Sequence, residues 1–233
     1  MSTAFRGTPG VYAGNSFVQR QLFTNPSQVE YASTNAFIDG NLTSDTTSSP
    51  VNLLQAGLLL GKITASGKLR NSIIGLTAAA VVAGTVTGIT VPAAVATEVA
   101  RLISVTGGNV SLKVVGPPTA AGTVATTTIT ATAAAGTSIT ITSATLPAYV
   151  IGSLITPADG SETVIVPFSF PYGVSVLEEG TSVRIDQPLR LHPRKGDIDV
   201  TRVVNYPADA SLKAYVKGQL KAASGMFTFS DDR

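Results

Sequence analysis

Apolar and polar positions alternate most strictly at Thr137-Ser138-Ile139-Thr140-Ile141-Thr142, which sets both isoleucines on one side of an extended strand and hydroxyls on the other. Val110–Val115 and Thr123–Thr132 share its β-branched character, with turns at Gly116-Pro117-Pro118 and Ala133–Gly136. Further strands are predicted between Ile73 and Val91, at Val164–Tyr172, where Phe168, Phe170 and Tyr172 alternate, and at Val183–Leu191 and Asp197–Val204. Val51–Lys68 consists of two short apolar runs broken by Gly57, Gly61 and Gly67. It reads as a β-hairpin with turn material at Ala65-Ser66-Gly67.

The period changes to that of a helix in two places. Thr90 offers a cap and Pro92 a first-turn proline for a helix over Pro92–Ile103. Val95, Val99 and Leu102 form its buried stripe, Glu98 and Arg101 pair on its exposed side, and Gly107-Gly108 follow its end. The second helix is predicted over Ala208–Ala223, with Leu212, Tyr215, Val216 and Leu220 as the apolar stripe. Asp209 sits at its positive end, Lys213, Lys217 and Lys221 line a solvated row, and Ser224-Gly225 stop it. The expected fold is mainly β, of barrel or sandwich type, with two helices and an extended N-terminal arm.

Charge divides the chain further. Val114–Ala158 runs 45 residues and Asn71–Thr97 runs 27 residues without an ionisable side chain other than Tyr149, and no aromatic lies between Phe37 and Tyr149. Charged residues are 13% of the whole, against about a quarter in ordinary soluble domains, while 44% are hydrophobic. Such a surface resists association poorly, so much of it is expected to be covered by neighbours. The Thr-rich strands also lack the charges that guard free sheet edges, so their edges should be paired or covered. Glu178–Arg233 carries 17 of the 30 charged residues, nine basic and eight acidic, with no basic stripe to read nucleic acid.

Residues 1–50 read as the arm, with linker composition from Asp39 to Pro50. Six of the fourteen aromatics sit in it: Phe5, Tyr12, Phe17, Phe23, Tyr31 and Phe37. Spaced aromatics suit a segment that orders on a partner, and they suit equally an arm folded back on its own domain; both readings stand at this point. Residues 51–72 with 151–233 are expected to form one β-domain, and residues 73–150 an inserted Thr/Ala/Gly-rich β-subdomain with one helix.

Candidates for chemistry are few. Gly61–Lys68 has five residues between Gly61 and Gly67, and Leu69 after Lys68, so it fails the phosphate-loop pattern twice. His192, the only histidine, lies between Arg190 and Arg194 with no nucleophile motif, and reads as a loop residue. Asp197 and Asp199 read as one face of a salt-bridged strand, and Asp159 and Glu162 as turn residues. With no Cys, there is no disulfide or thiolate site. No enzyme activity, metal or cofactor is expected. Nor is a secretory leader expected, since MSTAFRGTPGVYAGN has no apolar run. Asn71–Thr97 is long enough to span a membrane, but Gly75, Gly84, Gly88 and Pro92 interrupt it, so no span is expected.

Two stretches carry a family resemblance. Leu53-Leu54-Gln55-Ala56-Gly57 through Leu60-Gly61-Lys62-Ile63-Thr64-Ala65-Ser66-Gly67-Lys68 is similar to the opening of tailed-bacteriophage head decoration proteins. Asp159-Gly160-Ser161-Glu162-Thr163, with Tyr172-Gly173-Val174 further on, resembles a second element of that family. The match covers about a third of the chain, and roughly 80 residues separate its two parts. The resemblance implies a β-rich capsid cement protein that binds the major capsid protein as a homotrimer, on the surface of a virion assembled in a host cytoplasm. It implies that the N-terminal arm makes contacts with the shell. A phage tail or fibre structural protein is one alternative, although no short fibre repeat is present. An extracellular adhesin is another, although the central region shows no aromatic binding face.

Overall fold

The computed structural model describes residues 22–44, 53–54, 56–117, 124–168, 175–176, 186–224 and 226–232. The expectations placed on Phe5, Tyr12, Phe17, Phe170, Tyr172, Gly173 and Val174 lie outside these residues. In chain order the strands and α-helices are β1 (Glu30–Ile38), β2 (Leu53–Leu54), β3 (Leu59–Lys62), β4 (Leu69–Asn71), β5 (Gly75–Leu76), β6 (Gly84–Thr90), α1 (Ala93–Thr106), β7 (Val110–Gly116), β8 (Ala125–Ala135), β9 (Ser138–Leu146), β10 (Leu154–Pro157), β11 (Val166–Pro167), β12 (Ser175–Val176), β13 (Gln187–Ile198), α2 (Ala210–Ser224) and β14 (Phe227–Phe229). Over the described residues the protein is mainly β with two α-helices, as its hydrophobic pattern predicts.

Residues 75–157 form one sheet, antiparallel throughout, in the order β5-β10-β7-β8-β9-β6. Its register follows from alternation: Leu112, Val114, Ile129, Ile139 and Ile141 all point to one face, where they meet Val95, Val99 and Leu102 of α1 in a continuous core. Hydroxyls take the other face. Thr126, Thr128, Thr140 and Thr142 are exposed there.

Helix α1 differs from expectation at its start. Thr90 is the last residue of β6, and Pro92 is the N-cap without any side-chain cap bond. Its end is as read: Gly107 takes the left-handed conformation, with φ at 73°, and Gly108 N bonds Ile103 O at 3.0 Å. Glu98 and Arg101 do pair, but Glu98 is buried, not on an exposed side.

The chain on either side of that sheet builds a second one, in the order β11-β3-β4-β1-β13-β14. It is mixed: β1 runs parallel to β4, and β13 parallel to β14. A two-stranded pairing of β2 with β12 stands beside it. α2 lays Leu212, Val216 and Leu220 into a core with Phe23, Ile198, Phe227 and Phe229. Asp209 holds its start by accepting from Ser211 N and Leu212 N, as its position at the positive end suggests. The Lys row is not wholly solvated, because Lys217 bonds Asp231 and Asp232 beyond β14.

Three expectations are corrected here. His192 is not in a loop: β13 runs through it, pairing Ala32 with His192 and Tyr31 with Pro193. Residues 200–202 form a 3-10 turn rather than a strand, with Asp199 capping it through Thr201 N. The arm assigned to residues 1–50 does not extend over 22–44. That stretch is built into the domain, with β1 hydrogen-bonded between β4 and β13, and with Phe23 bridged to Ile198.

Candidate functional site

Residues 159–163 of the second resembling stretch lie against residues 59–64 of the first. β3 and β4 form a hairpin about the predicted turn, Leu60 opposite Asn71 and Lys62 opposite Leu69, but its second strand lies beyond the Val51–Lys68 expected for it. Asp159-Gly160-Ser161 crosses it, with Thr64 N bonding Asp159 O at 2.9 Å. A Cβ at Gly61 would overlap the carbonyl oxygens of Ser161 and Thr163, so only glycine lets the two backbones approach so closely. Gly160 meets a double constraint, with φ at 98° and the Thr64 side chain occupying the space of a Cβ. Gly61 and Gly160 are thus explained by packing.

Charged groups gather along the same seam. Arg70 Nη1 donates to Asp159 Oδ2 at 3.0 Å, and the arginine is 3% exposed. Burial pushes the Arg70 guanidinium down from its ordinary value, and Asp159 opposes that push. Burial alone would raise Asp159, but Arg70 and the bonds from Ser161 outweigh it and hold the carboxyl below the usual range. Lys113 of β7 pairs with Glu162, tying the antiparallel sheet to the motif segment. Arg101 reaches from α1 to Asn41 O at 2.5 Å while its other nitrogens hold Glu98. Asp159 and Glu162 are therefore more than turn residues: each anchors a cation from a distant strand.

Lys68 stands outside this group and bonds Asp186 at 2.6 Å, with Asp39 at 3.8 Å. The Asp186 bond raises Lys68; burial works to raise Asp186, but the lysine prevails and lowers it. Asp39 also accepts from Asn41 N and Leu42 N. These carboxylates are consumed by structural bonds. His192 is pushed down by burial and by Arg194, and it has no carboxylate orienting it among the bonds of the described residues. Asp197 accepts from the side chains of Thr228 and Thr24. Among the described residues no group of three or more His, Asp or Glu is placed to hold a metal ion. No helix among them is long and apolar enough to cross a membrane.

The sequence singled out six aromatics as anchors, on a partner or on their own domain, and the structure separates those it describes. Phe23 is a core residue, 4% exposed and stacked on Phe227 with ring centroids 6.5 Å apart. Tyr31 is half-buried in β1. Phe37 is 49% exposed on the same strand. Phe23 is thereby withdrawn as an exposed anchor, and Phe37 keeps the surface such a role needs. The ion pair of Arg70 with Asp159, 89 positions apart in the chain, had no signal in the sequence beyond the charges themselves.

Comparison with known proteins adds no relative. No protein-family model, no curated protein and no solved structure matches the chain.

Proposed function

We propose that the chain is a structural virion protein, a decoration or cement protein that binds the outside of a tailed-phage head and stabilises its shell of major capsid protein. The observation that supports this reading best is the seam. The two segments whose residues resemble the decoration family are distant in sequence, yet they meet through Gly61, Thr64, Gly160 and Ser161. Glycines required by a shared backbone crossing are the part of a fold that a resemblance of this kind would preserve.

The mechanism is mechanical. Each copy adds binding free energy to the shell and is not consumed. Sparse charge suits surface that ends buried between subunits. In this reading Phe5, Tyr12 and Phe17 are the anchors of the N-terminal segment, joined by Tyr31 and the exposed Phe37. The partners are major capsid protein and further copies of the chain as a homotrimer, on the virion surface after assembly in a host cytoplasm.

The test adds purified protein to heads that lack it. Saturable co-sedimentation and a raised temperature of head rupture are expected. Replacing Phe5, Tyr12 and Phe17 together by Ala should weaken attachment by more than about tenfold, the scale of a lost interface anchor, while the free protein melts as before. Binding to tails instead of heads, or to neither, would overturn the assignment.

A further inference from the structure

We propose that β6 is a docking edge for a second copy of this chain, the two β6 strands pairing antiparallel so that the antiparallel sheet runs on from one copy into the next. β6 ends the strand order of that sheet. Its inner side is satisfied by β9, from Gly84 opposite Leu146 to Thr90 opposite Ser138. On the outer side the Thr90 carbonyl accepts from Ala78 N at 2.9 Å. Among the described residues, the remaining outward N–H and C=O groups from Gly84 to Ile89 have no hydrogen-bond partner. A row of unpaired backbone groups on an edge is a template for another strand.

Edges of this kind are ordinarily guarded by Lys, Pro or an inward charge. β6 reads Gly-Thr-Val-Thr-Gly-Ile-Thr, and no charged residue occurs anywhere from Asn71 to Thr97. The guard that is present is a bulge between Val86 and Gly88, which bends the strand and interrupts the outer ladder at Thr87 without removing its donors and acceptors.

The composition of the edge selects its occupant. With no charge of either sign, it offers nothing to a partner that recognises by ion pairs, and two identical edges meet without repulsion. An antiparallel pair about a two-fold axis is self-complementary, the donors of one strand facing the acceptors of the other. Val82, just ahead of the strand and 76% exposed, adds apolar surface at the same place. This contact does not depend on the shell reading and is separate from the trimer which the resemblance implies.

Sedimentation velocity of the full chain over a wide concentration range tests the proposal. A monomer–dimer equilibrium is expected, with amides of β6 gaining protection from hydrogen exchange as concentration rises. Thr85→Lys with Thr87→Lys puts like charges across the two-fold at exposed positions and should raise the dissociation constant more than about tenfold, without changing the circular dichroism spectrum. Thr128→Lys, exposed in mid-face on β8, should leave the dimer intact. Three results would overturn the assignment: no association, association that survives both lysines on β6, or dissociation by Thr128→Lys. The hydrogen-exchange arm uses the unaltered chain, so unchanged β6 exchange at high concentration also overturns it.

Discussion

The two sheets reach stability by different routes. In the antiparallel sheet β6, β7, β8 and β9 are 7, 7, 11 and 9 residues long, alternate regularly and share one covering helix. It has almost no charge, and Lys113 of the interior strand β7 pairs with Glu162 beyond the sheet. In the mixed sheet β3, β4, β11 and β14 are only 4, 3, 2 and 3 residues long. Beside the long β1 and β13 these short strands supply few ladder bonds, and they are pinned by close glycine crossings, by Arg70 with Asp159 and by Lys68 with Asp186. Long, covered strands hold without charge. Short pieces gathered from distant parts of the sequence use it to fix their places.

The comparison breaks hardest at the seam. Asp159→Asn leaves the Arg70 guanidinium buried without its ion-pair partner and should cost about 3–5 kcal/mol, read from urea unfolding. Its pH signature is specific. Asp159, Glu162 and Asp186 are all held below ordinary values of 3.8, 4.5 and 3.8. Such groups contribute stability that is complete above those values and is lost as pH falls through the lower folded values. Stability should therefore decline below pH 4.5, and Asp159→Asn should flatten part of that decline.

In the antiparallel half Leu102→Ala should cost about 3 kcal/mol by opening a cavity under α1, with the acid decline retained. A flat profile in that variant would show that the uncharged half also depends on these carboxylates. Glycines sharpen the contrast at smaller scale. Gly61→Ala collides with backbone and should destabilise by about 1–3 kcal/mol in a thermal melt. Gly88→Ala in β6 finds Ile139 O at 3.5 Å, an ordinary contact, and should stay within about 1 kcal/mol of the parent. Smallest of all, Thr128→Val on the exposed hydroxyl face should shift stability by less than about 0.5 kcal/mol.

What the sequence revealed follows the same division. The antiparallel half was legible because its strands are long enough for period to speak: Val110–Val115 and Thr137–Thr142 are the cores of β7 and β9, and the stripe of Val95, Val99 and Leu102 lies on them. The mixed half was read less well, since β3, β4, β11 and β14 are too short to carry a period and β1 and β13 pair only with partners distant in sequence. His192 looked like a loop residue, yet β13 runs through it and Pro193 where β1 is its only pairing neighbour among the described strands. Phe23 looked like an anchor on a free arm because its burial depends on Ile198 and Phe227, about two hundred positions away in the chain. Of the seam, the glycines were visible as motifs, but the pairing of Arg70 with Asp159 was not.

The long span of β1 against β13 also governs the order in which the molecule is made. Glu30 pairs with Lys195 across 165 positions, whereas every strand of the antiparallel sheet falls within residues 75–157. Contacts so distant carry a large loop-closure entropy and slow folding. On a ribosome, the antiparallel sheet has all its strands and α1 before β13 is synthesised. The residues of β1 precede that sheet and wait, unpaired with β13, until β13 has been made. The uncharged half is therefore the natural first-formed unit, and the mixed sheet closes after it, once β13 can pair with β1.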